Sequence, residues 1–370
     1  MKGTGETALQ GAEAGRVAPG SGDGPAGAAA LLAGAPLGVY VHVPFCSTAC
    51  DFCAFYQEQG DRRAILDYLA GVEREAALAA AASKPADTFF WGGGTPSLLK
   101  AEDLRRLGAA ATGAFGKPAR EWTVELAPSS VRADKLAALR ELGVTRVSLG
   151  AQSFDGRLLE SLGRQHSPRQ LEKALELALA GGFSSVNLDL IFAIPGQTEA
   201  QWRADLRRAL GSGIDHLSTY CLTFEEDTAL YVKLGQGKVS IDEERERAYY
   251  EIAWEETRAA GFAQYEIANY ARPGKRCLHN LNTWAMGEWI GLGPSAASQS
   301  AGWRSANPPD LAKWRAELDR GRRGTGERTA LSAAGLLEDA LIFGLRMNEG
   351  VDPEELERRF GLALPAPARR

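Results

Sequence analysis

Residues 38–53 read GVYVHVPFCSTACDFC, and the way this stretch is parsed decides the fold. The run at 38–43 is β-branched and aromatic and predicts a strand. Pro44 interrupts it, and Ser47, Thr48 and Asp51 lie between Cys46, Cys50 and Cys53, so the thiols fall on a loop directly after the strand. The same layout recurs downstream. Strand-like runs stand at 88–91, 122–126, 146–150, 185–194 and 216–222, and helical patterns at 62–82, 98–114, 131–141, 156–161, 168–180 and 199–211. Strands separated by helix-length segments predict βα units on a parallel sheet, and the near-continuous apolar character of several runs predicts burial on both faces.

Such units build either a doubly wound sheet or a barrel. Cys46, Gly92 to Gly94, Glu125, Gln152 and Asp189 all stand at or just after strand ends. A barrel brings those ends to one mouth, whereas a doubly wound sheet gathers its ligand residues at one crevice. The expected fold is α/β, a partial (β/α)6 TIM-like barrel over 37–242 with a C-terminal α+β extension over 243–370. The extension is expected to hold a long helix at 243–261, a strand at 264–271 and two further helical stretches. Residues 1–36, rich in Gly, Ala and small polar types, are expected to form a flexible tail.

The 370 residues carry 42 Lys and Arg against 47 Asp and Glu, a formal net charge of −5. With no basic block, a nonspecific nucleic-acid or anionic-membrane binder is disfavoured and small-molecule chemistry is expected. The five cysteines are too few and too clustered for a secreted disulfide scaffold, and clustered thiols in a reducing compartment hold metal. No signal peptide or spanning helix is legible near the N-terminus, so a cytoplasmic protein is expected.

Three readings fit three neighbouring thiols. The spacing i, i+4, i+7 is that of an inert buried stripe on a helix. A structural zinc site wants four protein ligands, and His42, the nearest nitrogen, belongs to the strand. A cubane iron-sulfur cluster has four irons, so three thiolates leave one open to a small molecule; Cys221 or Cys277 could otherwise complete it. Elsewhere, the glycines of FFWGGGTPS (89–97) let a ligand approach the main chain or make a tight turn, without P-loop spacing. Thr95 reads as the cap of a helix starting at Pro96. Glu125 and Asp189 are charges inside apolar runs and need a partner or a ligand.

The C-x3-C-x2-C form of CSTACDFC, within YVHVPFC, resembles the radical S-adenosylmethionine (SAM) enzymes, and in particular the branch of oxygen-independent coproporphyrinogen III oxidase and its haem-chaperone relatives. The likeness is nearly continuous from residue 38 to about 360. It implies a [4Fe-4S] cluster on Cys46, Cys50 and Cys53, with SAM chelating the fourth iron. It also implies SAM contacts from Gly92, Gly93, Gly94 and Thr95 to the methionine ammonium, from Glu125 to the ribose, from Gln152, from Arg164 to the carboxylate, from Asp189 near the ribose or adenosyl group, and from the backbone near Ala193 to adenine.

Within that branch, Phe55 stands where the oxidase carries a further cysteine, which favours the chaperones. The resemblance then implies a protein that binds haem and passes it to a haem-accepting protein, with a reductant for the cluster. Homodimerisation and peripheral membrane contact at the recipient are compatible with it. The haem-binding candidates are His279 in CLHNLNTW, with Trp284 packing a porphyrin face and Cys277 as a thiolate alternative. Thr283 replaces an expected tyrosine, Ala127 replaces an expected Asn or Asp, and an accessory domain expected after the last helices is missing or abbreviated. The alternative is an oxidase-like enzyme that decarboxylates porphyrinogen propionates.

Overall fold

The computed structural model describes residues 24–81 and 83–364. Six strands run parallel in chain order: β1 (Leu37–Val43), β2 (Thr88–Gly93), β3 (Glu121–Leu126), β4 (Arg146–Gln152), β5 (Ser185–Phe192) and β6 (His216–Cys221). Helices α2 (Arg62–Ala80), α3 (Ala101–Phe115), α4 (Ala133–Leu142), α5 (Gly156–Ser161) with α6 (Pro168–Ala180), and α7 (Glu199–Leu210) provide the crossovers. This is a partial, open (β/α) barrel, as expected. The segment 44–60 contains no helix, which removes the helical-stripe reading of the thiols.

The strands are buried on both faces, as expected, but the two faces differ in polarity with period two. Val39, Val41, Phe89, Trp91, Val124, Val147, Leu149, Val186, Leu188, Leu190 and Leu217 are buried in the main core with the helices. Tyr40, His42, Thr123, Glu125, Ser148, Asn187, Asp189, His216 and Ser218 occupy the opposite, inward positions. The lumen is therefore polar, whereas a closed barrel packs its interior with branched apolar side chains.

The extension is attached at both edges of the barrel sheet. After α8 (Ala229–Gly235) and α9 (Glu243–Ala259), the expected strand at 264–271 is an antiparallel hairpin, β7 (Ala263–Glu266) and β8 (Asn269–Ala271), with β8 paired to β6. Following α10 (Leu278–Trp284), β9 (Glu288–Leu292) pairs parallel with β1 at the other edge, and β10 (Ala297–Ser300), β11 (Trp303–Ala306) and β12 (Glu327–Ala330) continue outward. Four strands there were not anticipated, because they are short and interrupted by Gly and Pro. Helices α11 (Leu311–Asp319), α12 (Ala333–Gly344) and α13 (Pro353–Phe360) complete the fold. The flexible-tail reading of 1–36 is corrected in part. Residues 1–23 lie outside the described residues, but Pro25–Leu32 form a helix, α1, whose Ala28 and Leu32 are fully buried against Leu336, Leu337 and Phe360. Among the described residues no helix is long and apolar enough to cross a membrane.

One buried carboxylate ties extension to barrel. Glu75 of α2 is 0% exposed and accepts from the Gly293 backbone N–H (2.8 Å), Asn307 Nδ2 (2.7 Å) and Trp314 Nε1 (3.0 Å), with Arg323 Nε 3.8 Å away. Removing it leaves buried donors and a cation unpaired. Urea unfolding is expected to show Glu75→Ala losing about 3 kcal/mol or more, whereas Glu73→Ala, which breaks an exposed pair with Arg106, loses less than about 1 kcal/mol.

Candidate functional site

The cysteine loop is held at three places. It returns on itself through Glu58 N–H to Pro44 C=O (2.8 Å) and Cys46 N–H to Glu58 C=O (3.0 Å). Asp51 donates its N–H to Leu162 C=O after α5 (3.1 Å), accepts at its own carbonyl from Leu230 of α8 (2.9 Å), and pairs with Lys233 of α8 at 2.6 Å. The third is the glycine ribbon at the end of β2. Gly94 N–H donates to Val43 C=O at 2.8 Å, and a Cβ on Gly94 would lie 2.7 Å from the Pro44 carbonyl carbon, so only glycine lets the loop lie this close.

Cys46, Cys50 and Cys53 are all free and half-buried. Thr95 stands at the N-cap position of a short 3-10 helix starting at Pro96, as expected, but its side chain makes no cap bond there. Its Oγ1 lies instead 3.6 Å from Cys46 Sγ. Arg164 Nη1 donates to Cys50 Sγ at 3.3 Å while Nη2 donates to Gly150 C=O at 2.8 Å. Burial pushes the Cys46 and Cys53 thiols up, opposed at Cys46 chiefly by the Thr95 hydroxyl and at Cys53 by the Phe55 backbone N–H. Among the described residues no group of three or more His, Cys, Asp or Glu is placed to hold a single metal ion.

Around the same mouth stand Glu125, Gln152, Asp189 and Ala193. Gln152 and Ala193 both adopt positive φ, 65° and 60°, a left-handed backbone that non-glycine residues adopt at a cost and that concentrates at functional sites. The Glu125 carboxylate lies against the ribbon, where a Cβ on Gly92 would stand 2.7 Å from its Oε2. Burial first, then the nearby Asp189 charge, raises its pKa to about 8, against the pull of the Gly93 N–H and Arg146. Asp189 is raised by burial, opposed by hydrogen bonds from Ser218, Ser148 and Asn187 and by the Arg146 charge. Two buried carboxyl groups beside a polar lumen, three thiols, a guanidinium and a glycine ribbon thus meet at one mouth.

The haem candidates lie elsewhere. Helix α10 packs at the amino-terminal end of the strands, opposite the thiols. Glu121 accepts from the Leu278 and His279 N–H groups (3.0 and 3.1 Å) and lies 3.4 Å from Cys277 Sγ. His279 Nδ1 is 2.9 Å from Thr88 Oγ1, and its ring packs on Phe90 with centroids 5.3 Å apart. Cys277 is 0% and His279 7% exposed; burial pushes the thiol up to about 12 and the imidazole down to about 4. Trp284 packs against Phe343 and under the Arg346 guanidinium. His279 and Cys277 are thus buried in the barrel floor, whereas Trp284 lies half-buried against the extension. Cys221 lies on β6 beside Glu246 and is not brought to the other thiols. A cleft of about 480 Å³ opens on the outer side of α10, lined in part by Asp87, Arg120, Asn282 and Arg359. The reading of the sequence missed the Thr95–Cys46 contact, Asp51 as loop anchor and the inward polar set. The last was signalled by the period-two alternation in SVNLDLIF (185–192).

The description "Radical SAM superfamily" fits residues 40–209. The chain is 39% identical over 274 residues to heme chaperone HemW of Mycobacterium tuberculosis, covering 72% of this chain and 70% of that protein. It is 33% identical over 334 residues to heme chaperone HemW of Bacillus subtilis, covering 88% and 87%. In fold it is similar to coproporphyrinogen III oxidase (HemN) of Escherichia coli, with TM-score 0.78, 23% identity and coverage of 90% of this chain and 81% of that one. The barrel with its cysteine loop is thus that of a radical SAM protein. Within that superfamily the chain belongs to the HemW family.

The raised Glu125 has a testable sign. Between its ordinary value of 4.5 and about 8 the folded state holds a proton that the unfolded chain has lost, so this group's contribution to stability falls as pH rises through that window. Thermal unfolding of the cluster-free protein is expected to show Glu125→Gln gaining on wild type steadily from about pH 5 and levelling off above about pH 8.5.

Proposed function

We propose that this chain is a haem chaperone that holds a [4Fe-4S] cluster on Cys46, Cys50 and Cys53, binds SAM at the barrel mouth, and carries haem as cargo to an accepting protein. The observation that supports this most is the convergence of three free, half-buried thiols on one loop with the Arg164 guanidinium and the glycine ribbon at the same strand ends. When bound, the cluster and SAM supply one-electron cleavage of the sulfonium and a 5'-deoxyadenosyl radical. This chain's own part is to bind and orient. On this reading Arg164, already a donor to one thiol and bonded to Gly150, pairs with the methionine carboxylate, and the main chain of Gly92 to Thr95 meets the ammonium. Glu125 accepts from the ribose, Asp189 lies near the ribose or adenosyl group, and Gln152 and the Ala193 backbone flank the nucleoside without adding charge.

Haem contact is assigned to the 277–284 segment on the likeness to proteins named heme chaperones, although His279 and Cys277 are buried in this arrangement. Phe55, 69% exposed beside the thiols, occupies the position that separates this reading from a porphyrinogen oxidase.

Anaerobic reconstitution with iron and sulfide is expected to give about four of each per chain. Cys46→Ala, Cys50→Ala and Cys53→Ala should each lose the cluster, while Cys221→Ala and Cys277→Ala keep it. Haem titration is expected to give a bound-haem spectrum that His279→Ala loses. Decarboxylation of coproporphyrinogen by the reconstituted protein with SAM and reductant would overturn the chaperone reading in favour of the oxidase.

A further inference from the structure

Below the mouth, a set of buried side chains is bonded in an order that leaves little freedom. Asn187 Nδ2 lies 2.7 Å from Ser148 Oγ and 2.8 Å from Asp189 Oδ1, and Ser148 Oγ lies 3.0 Å from Asp189 Oδ2. On its other side, Asn187 Oδ1 is 2.5 Å from His216 Nδ1 and 3.2 Å from Ser218 Oγ. His216 Nε2 is 2.8 Å from the Tyr265 hydroxyl, whose oxygen is 3.2 Å from the Cys277 backbone nitrogen. Asn187, His216 and Tyr265 are each 0% exposed, and Ser148 and Ser218 are 4% and 3% exposed.

The chemistry of each group assigns the protons. An amide nitrogen donates and an amide oxygen only accepts. The opposite setting of Asn187 would aim its oxygen at the Asp189 carboxylate, so the amide must face as placed. Its Oδ1 therefore requires a hydrogen on His216 Nδ1. Burial, and after it the Arg146 charge, pushes the His216 pKa well below its ordinary value, so the ring is neutral and Nε2 bears a lone pair. The Tyr265 hydroxyl donates to that lone pair and accepts from the Cys277 N–H. The chain thus runs in one direction, from the start of α10, through β7 and β6, to both oxygens of Asp189 on β5. Shielded from bulk solvent, each group takes its orientation from the next.

We infer that His216 and Tyr265 are positioning residues for Asp189: through Asn187 they fix the orientation in which its carboxylate meets the nucleoside end of SAM. The inference rests on the SAM reading above and extends it to residues that touch neither cluster nor ligand. Tyr265 belongs to the extension hairpin, so a segment outside the barrel sets the orientation of a group at its mouth.

The test uses the full chain, reconstituted with cluster, and measures the affinity of SAM and, separately, of methionine, which lacks the nucleoside. Tyr265→Phe removes only the hydroxyl, and His216→Ala removes the ring. Both are expected to weaken SAM about tenfold, the scale seen when a group behind a ligand-contacting residue is removed, while methionine affinity and iron content stay unchanged. His216→Asn, which restores a donor near the Nδ1 position, should recover most of the loss. SAM affinity equal to wild type in both variants, or a parallel loss of methionine affinity, overturns the inference. The cluster-free protein gives an independent reading. Histidine ¹⁵N resonances of His216 are expected to show a neutral Nδ1–H tautomer from about pH 5 to 9, and an Nε2–H tautomer or a titration in that range overturns the relay whether or not SAM binds. A wild-type protein with the expected tautomer that binds methionine but not SAM instead overturns the proposed function and, with it, Asp189 as a ligand contact.

Discussion

The end of β1 rests on the glycine ribbon that ends β2, and the arrangement of the mouth hangs from that contact. Gly94 donates to Val43 and has no room for a side chain against the Pro44 backbone. This brings the main chain of the cysteine loop down onto the strand ends and sets Cys46 beside Thr95. Asp51 then pins the far side of the loop to α5 and α8. The loop is consequently held by backbone hydrogen bonds and the Asp51–Lys233 pair, with Thr95 and Arg164 against two of its sulfurs.

A polar lumen is the second consequence of building a barrel that stays open. Apolar side chains on the outer face of each strand meet the crossover helices and supply the hydrophobic stabilisation. The inner face is left for groups that must be satisfied by one another. Asp189, Ser148, Asn187 and His216 do so in sequence, and Glu121 does so by holding the start of α10. The extension is accordingly structural on both sides: its hairpin completes the polar chain at β6, while β9 to β12 lock onto α2 through Glu75.

Much of this was legible in the order of residues. The strand and crossover positions, the loop character of 44–60 and the placing of chemistry at strand ends follow from local patterns, because side-chain period and Pro, Gly and Cys spacing act over a few residues. The helices at 156–161 and 168–180 coincide with α5 and α6. The extension strands were not legible, since their pairing with β1 and β6 is a long-range event, and α1, short and Ala-rich, was hidden because its packing partners on α12 and α13 lie at the far end of the chain.

The thiol triad, the glycine ribbon and the alternation of the strands follow from local order alone, since each is a matter of which residues stand within a few positions of one another. Which groups meet across the fold was settled by tertiary packing. It turned the Thr95 side chain to Cys46, carried His279 and Cys277 to the floor away from the thiols, and joined Tyr265 to Asp189 through two other side chains, His216 and Asn187. Those outcomes depend on burial and on hydrogen bonds between segments up to hundreds of residues apart, where a polar group with no water must take whichever partner the fold brings to it.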